Sequence, residues 1–148
     1  MFIMLVGIAG SGKSQMANNY REKYKNSIIL SSDSIRKELY GDEEIQGNPK
    51  EVFKIMDART EKYLKLGLTV IYDATNIDAN RRKDLLKRFE NIVGSAICIY
   101  LNTSLELCIK RQNLRKRKVP ELIIRRQYSR LQPPKYDEGW DKIIEINN

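Results

Sequence analysis

Short apolar runs alternate along the chain with segments whose apolar positions recur every three to four residues. Phe2-Ile-Met-Leu-Val-Gly-Ile8 is continuously apolar, the pattern of a strand buried on both faces, and Lys13 to Lys25 follows as a helix. Ile28 to Ser31 predicts a second strand and Asp33 to Leu39 a short helix, after which Gly41 to Asn48 is a polar, acidic connection. Asn48-Pro49-Lys50-Glu51 supplies a cap, a first-turn proline and an acidic third position, so a helix is expected up to Leu66, where Gly67 stops it. Leu68 to Tyr72 is the third strand and ends on Asp73; Asp78 caps a helix from Ala79 to Glu90, and Ala96 to Leu101 is the fourth strand. Thr103-Ser-Leu-Glu106 has capping-box spacing for the next helix. Pro120 opens a further helix to Leu131, Pro133-Pro134 ends it, and Ile143 to Ile146 is a fifth strand. Strands that alternate with helices predict a parallel α/β sheet, because parallel neighbours need a crossover.

The 148 residues suit one domain, 1–148, without repeat or linker, and 41% apolar with 31% charged residues is the composition of an ordinary globule. The longest apolar stretch, Phe2 to Gly10, falls well below the ~20 residues that span a bilayer and lacks the positive flank of a signal peptide. No membrane association and a cytoplasmic location are expected. There is no His, which excludes imidazole catalysis and His-based zinc sites. Cys98 and Cys108 lie in apolar and helical patterns and read as packing residues of a reducing compartment.

Candidate chemistry begins directly after the first strand. Gly7-Ile-Ala-Gly-Ser-Gly-Lys-Ser14 fits G-x-x-x-x-G-K-[ST] in full, with a strand before it and a helix after it. Glycines let the backbone curl so that N–H groups point at phosphate oxygens, and the helix dipole adds to the attraction. Gly10, Ser11, Gly12, Lys13 and Ser14 are the expected phosphate-binding residues, with Lys13 on the terminal phosphates and Ser14 on Mg²⁺. Asp73, at the end of an apolar strand, is expected at the same site, holding either metal or acceptor. Asp33 follows the second strand, which in a parallel sheet brings it to the edge where the phosphate loop lies. There it can take the proton of an attacking hydroxyl while Arg36, one turn on, holds an anionic group; equally, Asp33 can cap its helix while Arg36 is solvated.

The net charge of +8 has a location. Lys110 to Arg130 carries nine basic residues against Glu121 alone, which leaves the rest of the chain neutral. A solvated helical face is the ordinary fate of such a run. The charge collects, however, where P-loop kinases, the class that the phosphate loop resembles, place a closing lid, here residues 110–120, and an arginine on a transferring phosphoryl group is worth about 10³ or more in rate.

These residues together resemble the kinase domain of the phage and animal polynucleotide 5′-hydroxyl kinases, within the wider group of small P-loop kinases. The resemblance is carried by Gly10-Ser-Gly-Lys-Ser14, Asp33-Ser-Ile-Arg36, Asp73-Ala-Thr-Asn76 with Asn80-Arg-Arg82, Lys110-Arg111 through Val119-Pro120, Gln132-Pro-Pro134 and Glu138-Gly-Trp140. It implies a three-layer P-loop NTPase of the nucleoside-kinase type, with five parallel strands in the order 2-3-1-4-5 and a basic lid. It further implies ATP and Mg²⁺ as cofactors, Asp33 as general base on a 5′-hydroxyl, Arg36 on the acceptor, and Asp73 and Asn76 on the substrate side. Arg111 and Arg115 match lid arginines on the donor phosphates, with Arg117 able to exchange roles with Arg115. The inserted Ala74 departs from the family's pattern and bears on Thr75 and Asn76. No accompanying phosphatase or ligase module is expected within residues 1–148. The expected activity is transfer of the γ-phosphoryl of ATP to a nucleic-acid 5′-hydroxyl; kinases of a nucleoside, sugar or antibiotic, and a nucleotide-dependent switch, are the alternatives.

Overall fold

The computed structural model describes residues 1–42, 45, 47–116 and 119–148. Five parallel strands, β1 (Phe2–Val6), β2 (Ser27–Ser31), β3 (Thr69–Asp73), β4 (Ala96–Asn102) and β5 (Lys142–Asn147), form one sheet in the order β2-β3-β1-β4-β5, as expected. Between them run α1 (Lys13–Lys23), α2 (Ser32–Tyr40), α3 (Pro49–Lys65), α4 (Ala79–Phe89), α5 (Leu105–Asn113) and α6 (Glu121–Arg130), with a short 3-10 turn at Tyr136–Glu138.

Side chains alternate across β1, so its continuous apolar run serves two cores. Phe2, Met4 and Val6 pack with Ile35, Val52, Met56, Leu85 and Phe89 from α2, α3 and α4, whereas Ile3 and Leu5 pack against Ala17 and Met16 of α1. The Phe2 ring meets Tyr72 and Phe89 edge-on, at 5.7 and 5.4 Å between centroids, and stacks on Trp140 at 6.3 Å. Cys98 and Cys108 are buried, and burial pushes the Cys98 thiol up to about 12 and that of Cys108 upward, which suits inert packing.

Capping explains most boundaries. Asn48 and Asp78 accept from the amides of Lys50 and Asn80, at 3.1 and 2.9 Å, as the sequence predicts. One expectation is corrected and one of two open alternatives is decided. Ser104, not Thr103, caps α5 by accepting from Leu107 N at 3.2 Å, because the Thr103 hydroxyl is engaged with the Ser11 carbonyl at 3.0 Å. Ser31, not Asp33, caps α2, which leaves the Asp33 carboxylate outside the capping role. β1 also stops at Val6 rather than Ile8, since the Gly7 amide turns to the Thr75 carbonyl at 3.1 Å.

Candidate active site

The register sets the site. Asp73 at the end of β3 is level with Leu5 on β1 and with Ser31 on β2. The chain leaves β1 and β2 just beyond these residues, so the phosphate loop, Asp33 and Asp73 emerge at one carboxyl edge, where open α/β sheets bind ligands.

The loop is shaped by glycine and held by its neighbours. Gly10 and Gly12 adopt φ of 83° and 100°, and a Cβ on Gly10 would lie 2.5 Å from the Cys108 carbonyl oxygen. Thr103 ties down the Ser11 carbonyl, and Ala9 N donates to Gln127 Oε1 at 2.9 Å. The α1 N-terminus has neither a side-chain cap nor an acid in its first turn. Its N–H groups and the positive end of its dipole are therefore available to an anion.

A cleft of about 450 Å³ gathers Gly10, Gly12, Lys13, Ser14, Asp33, Arg36, Asp73, Arg111 and Arg115. Lys13 Nζ donates to the Ile8 carbonyl at 3.1 Å. Burial lowers the Lys13 pKa, while the Asp73 and Asp33 carboxylates pull it back up. Burial likewise raises the Asp73 carboxyl, opposed by the Lys13 charge. Arg36 is paired with Asp33 three residues away on α2, and Arg111 Nη1 donates to the Gly10 carbonyl at 3.3 Å.

Not every expected residue joins the cleft. Ser11 is buried behind the loop, its hydroxyl without a partner among the described residues. Asn76, expected on the substrate side, is turned inward: its Nδ2 donates to the Leu5 and Ala74 carbonyls at 2.6 and 3.1 Å, from a residue at φ 49°. Its amide nitrogen thus ties the turn after β3 to β1. Arg117 and Lys118 lie outside the described residues. Of the remaining basic segment, Arg111 and Arg115 line the cleft, while Arg125, Arg126 and Arg130 are exposed on α6.

The site suits a polyphosphate on its own geometry. Uncapped amides, Lys13 and three arginines line one cavity, and Gln112 in its wall has a buried Nε2 with no acceptor among the described residues. Ser14 and Asp73 present hard oxygen donors in the same cleft, the type that Mg²⁺ prefers.

Several side chains that build the site were invisible to spacing rules. Phe53 and Pro49 line the same cleft as Asp33 and Arg36. Behind it, Arg82 donates to Glu138 at 2.8 and 2.9 Å, to the Asn76 carbonyl at 2.7 Å and to the Gln132 carbonyl at 2.8 Å. Trp140 Nε1 and Lys135 N, each at 3.1 Å, complete the shell of Glu138. The motif fragments Asn80-Arg-Arg82, Gln132-Pro-Pro134 and Glu138-Gly-Trp140 are thus parts of one buried lock. Only the closure of the fold brings them together.

A parallel sheet of order 2-3-1-4-5, with a phosphate loop between β1 and α1 and carboxylates at the same edge, is the fold of the P-loop kinases. Residues 2–134 match the family AAA_33, described as an AAA domain, and the chain belongs to it. It is 30% identical over 151 aligned residues to the L-seryl-tRNA(Sec) kinase of Methanococcus maripaludis, an alignment that covers 95% of this chain and 56% of the relative. The chain therefore spans about half the length of that curated relative. Among solved structures it superposes on a chain of the Pnkp1/Rnl/Hen1 RNA repair complex with a TM-score of 0.78, at 22% identity, over 88% of this chain and 43% of that one. Chaetomium thermophilum Kti12, solved in complex with ADP-AlF3, superposes with a TM-score of 0.79 at 16% identity, over 99% of this chain and 89% of its own. Among the described residues no helix is long and apolar enough to cross a membrane.

Proposed function

We propose that the protein is an ATP-dependent kinase that transfers the γ-phosphoryl group to a hydroxyl on a nucleic acid, with the 5′-hydroxyl end as the favoured acceptor. The observation that carries this reading is the meeting of Asp33 and Arg36 with Lys13 of the phosphate loop in one cleft. Asp33 accepts the proton of the acceptor hydroxyl as its oxygen bonds to the γ-phosphorus in line, and the bond from that phosphorus to the β–γ bridging oxygen breaks as ADP leaves. Arg36 positions Asp33 and an anionic group of the acceptor. Lys13, the loop amides, Arg111 and Arg115 hold the donor phosphates and take up the charge that spreads over the transferring group. Mg²⁺, held by Ser14 and Asp73, would screen the phosphate oxygens against each other.

A second reading is supported by the L-seryl-tRNA(Sec) kinase relative: the accepting hydroxyl would then belong to an amino acid carried on RNA. Labelled ATP offered with 5′-hydroxyl oligonucleotides, seryl-tRNA, a nucleoside 3′-phosphate and sugars separates these. Label on the oligonucleotide 5′-end is the expected result. Label on seryl-tRNA alone supports the second reading, label on a nucleoside or sugar alone makes the protein a small-molecule kinase, and phosphate release without a labelled acceptor makes it a nucleotide switch.

A further inference from the structure

We propose that Phe53 is a stacking platform for the base of the acceptor's 5′-terminal nucleotide, an inference that rests on the nucleic-acid acceptor argued above. Phe53 is a half-buried aromatic ring that lines the same cleft as Asp33 and Arg36, the two residues assigned above to the acceptor. It stands one helical turn after Pro49 and one turn before Asp57 on α3, so the three share a face. A phenyl ring has nothing to offer phosphate or metal. Its flat apolar surface does match the one part of a nucleotide that is flat and apolar.

One face of the ring is covered and the ring held in place. The Arg81 guanidinium lies 4.4 Å from its centroid. Arg81 Nη2 is itself fixed by both carboxylate oxygens of Asp57, each at 3.1 Å, and by the Tyr72 hydroxyl at 2.7 Å. The Tyr72 hydroxyl in turn donates to Asp57 Oδ1 at 2.6 Å, and burial pushes the Tyr72 phenol up, so that it remains a donor. Tyr72 directly precedes Asp73, which links the clamp to the reacting edge. The ring is also held at a set separation from Asp33: Arg59 of α3 pairs with Glu38 of α2 at 2.7 Å, and Tyr40 accepts from Asn48 N at 3.1 Å.

A ring immobilised before the ligand arrives loses little entropy on stacking. Base-on-aromatic stacking of this kind changes affinity by roughly five- to 150-fold. Because every base has a π-face, the platform tolerates any terminal base but discriminates against an end that lacks one.

The test compares 5′-hydroxyl oligonucleotides that carry a base on the first nucleotide with otherwise identical ones whose first residue is abasic. For the wild-type protein the abasic end is expected to raise KM about ten-fold, within the stacking range. In Phe53→Leu, which keeps apolar volume but removes the flat face, the ratio of the two KM values should collapse toward one, and Phe53→Tyr should restore it. Melting temperatures of both variants check folding, while the wild-type ratio stands without them. A wild-type ratio near one, or an undiminished ratio in Phe53→Leu, overturns the platform and leaves the acceptor reading intact. If intact oligonucleotides receive no label while seryl-tRNA or a sugar does, the acceptor reading falls and the platform with it.

Discussion

Arg36–Asp33 and Arg82–Glu138 are the same chemical pair in two settings. Arg36 and Asp33 lie three residues apart on α2 at the cleft, and the Asp33 side chain is 59% exposed. Arg82 and Glu138 are 56 residues apart in sequence, and their side chains are 1% and 2% exposed. Both oxygens of Glu138 are occupied by Arg82, Trp140 and Lys135, which compensates its desolvation and fixes its place. Asp33 keeps access to the cleft and with it room for an incoming proton. Each pair joins an arginine to a carboxylate; burial and saturation of the carboxylate separate the Glu138 anchor from Asp33, the proposed base.

The contrast is broken most severely at Asp33. Asp33→Ala is expected to lower the phosphoryl-transfer rate by about 10²–10⁴ while ATP affinity and melting temperature stay near wild type. Single-turnover kinetics, nucleotide titration and thermal melts check the three quantities, and wild-type turnover would remove Asp33 as the base. Arg82→Ala should do the reverse. Removal of one partner from a buried pair costs about 3–5 kcal/mol, which denaturant titration would register. Arg36→Ala, which breaks a pair at the cleft surface, should lie within about 1 kcal/mol of wild type in the same experiment.

The smallest effect expected is on pH. Burial opposes ionisation of Glu138, but the hydrogen bonds from Arg82 and Trp140 and the Arg82 charge outweigh it and hold the carboxyl below its usual 4.5. The folded state then binds fewer protons than the unfolded one, so this contribution is complete above about pH 4.5 and lost as pH falls through the lowered value. Asp73 has the opposite sign, because burial raises its carboxyl above 3.8 and stability declines as pH rises from that value to the raised one. Stability measured against pH should accordingly lose part of its acid-side slope in Glu138→Gln and gain slope in Asp73→Asn.

Local chemistry was legible along the chain, and long-range chemistry was not. The phosphate loop is eight consecutive residues between a strand and a helix, and the uncapped amides at the start of α1 follow from that local sequence. Asn48 and Asp78 caps were readable for the same reason. Asn76 was not, since its direction follows from a left-handed backbone and from the carbonyl of Leu5 on another strand. Thr103 was misread because the competing acceptor, the Ser11 carbonyl, stands 92 residues away. Phe53 has the look of an ordinary core position on an amphipathic helix, and only the clamp of Arg81, Asp57 and Tyr72 and the adjoining cleft distinguish it.

By itself the sequence determined the alternation of strands and helices, the phosphate loop and the concentration of positive charge between Lys110 and Arg130, since these depend on neighbours within a turn or a strand. The tertiary structure decided which of those charges meet the cleft, which carboxylate is locked and which is reachable, and which aromatic ring lines the cleft. Such outcomes depend on burial and on partners far away in the chain, and both exist only after the sheet has assembled.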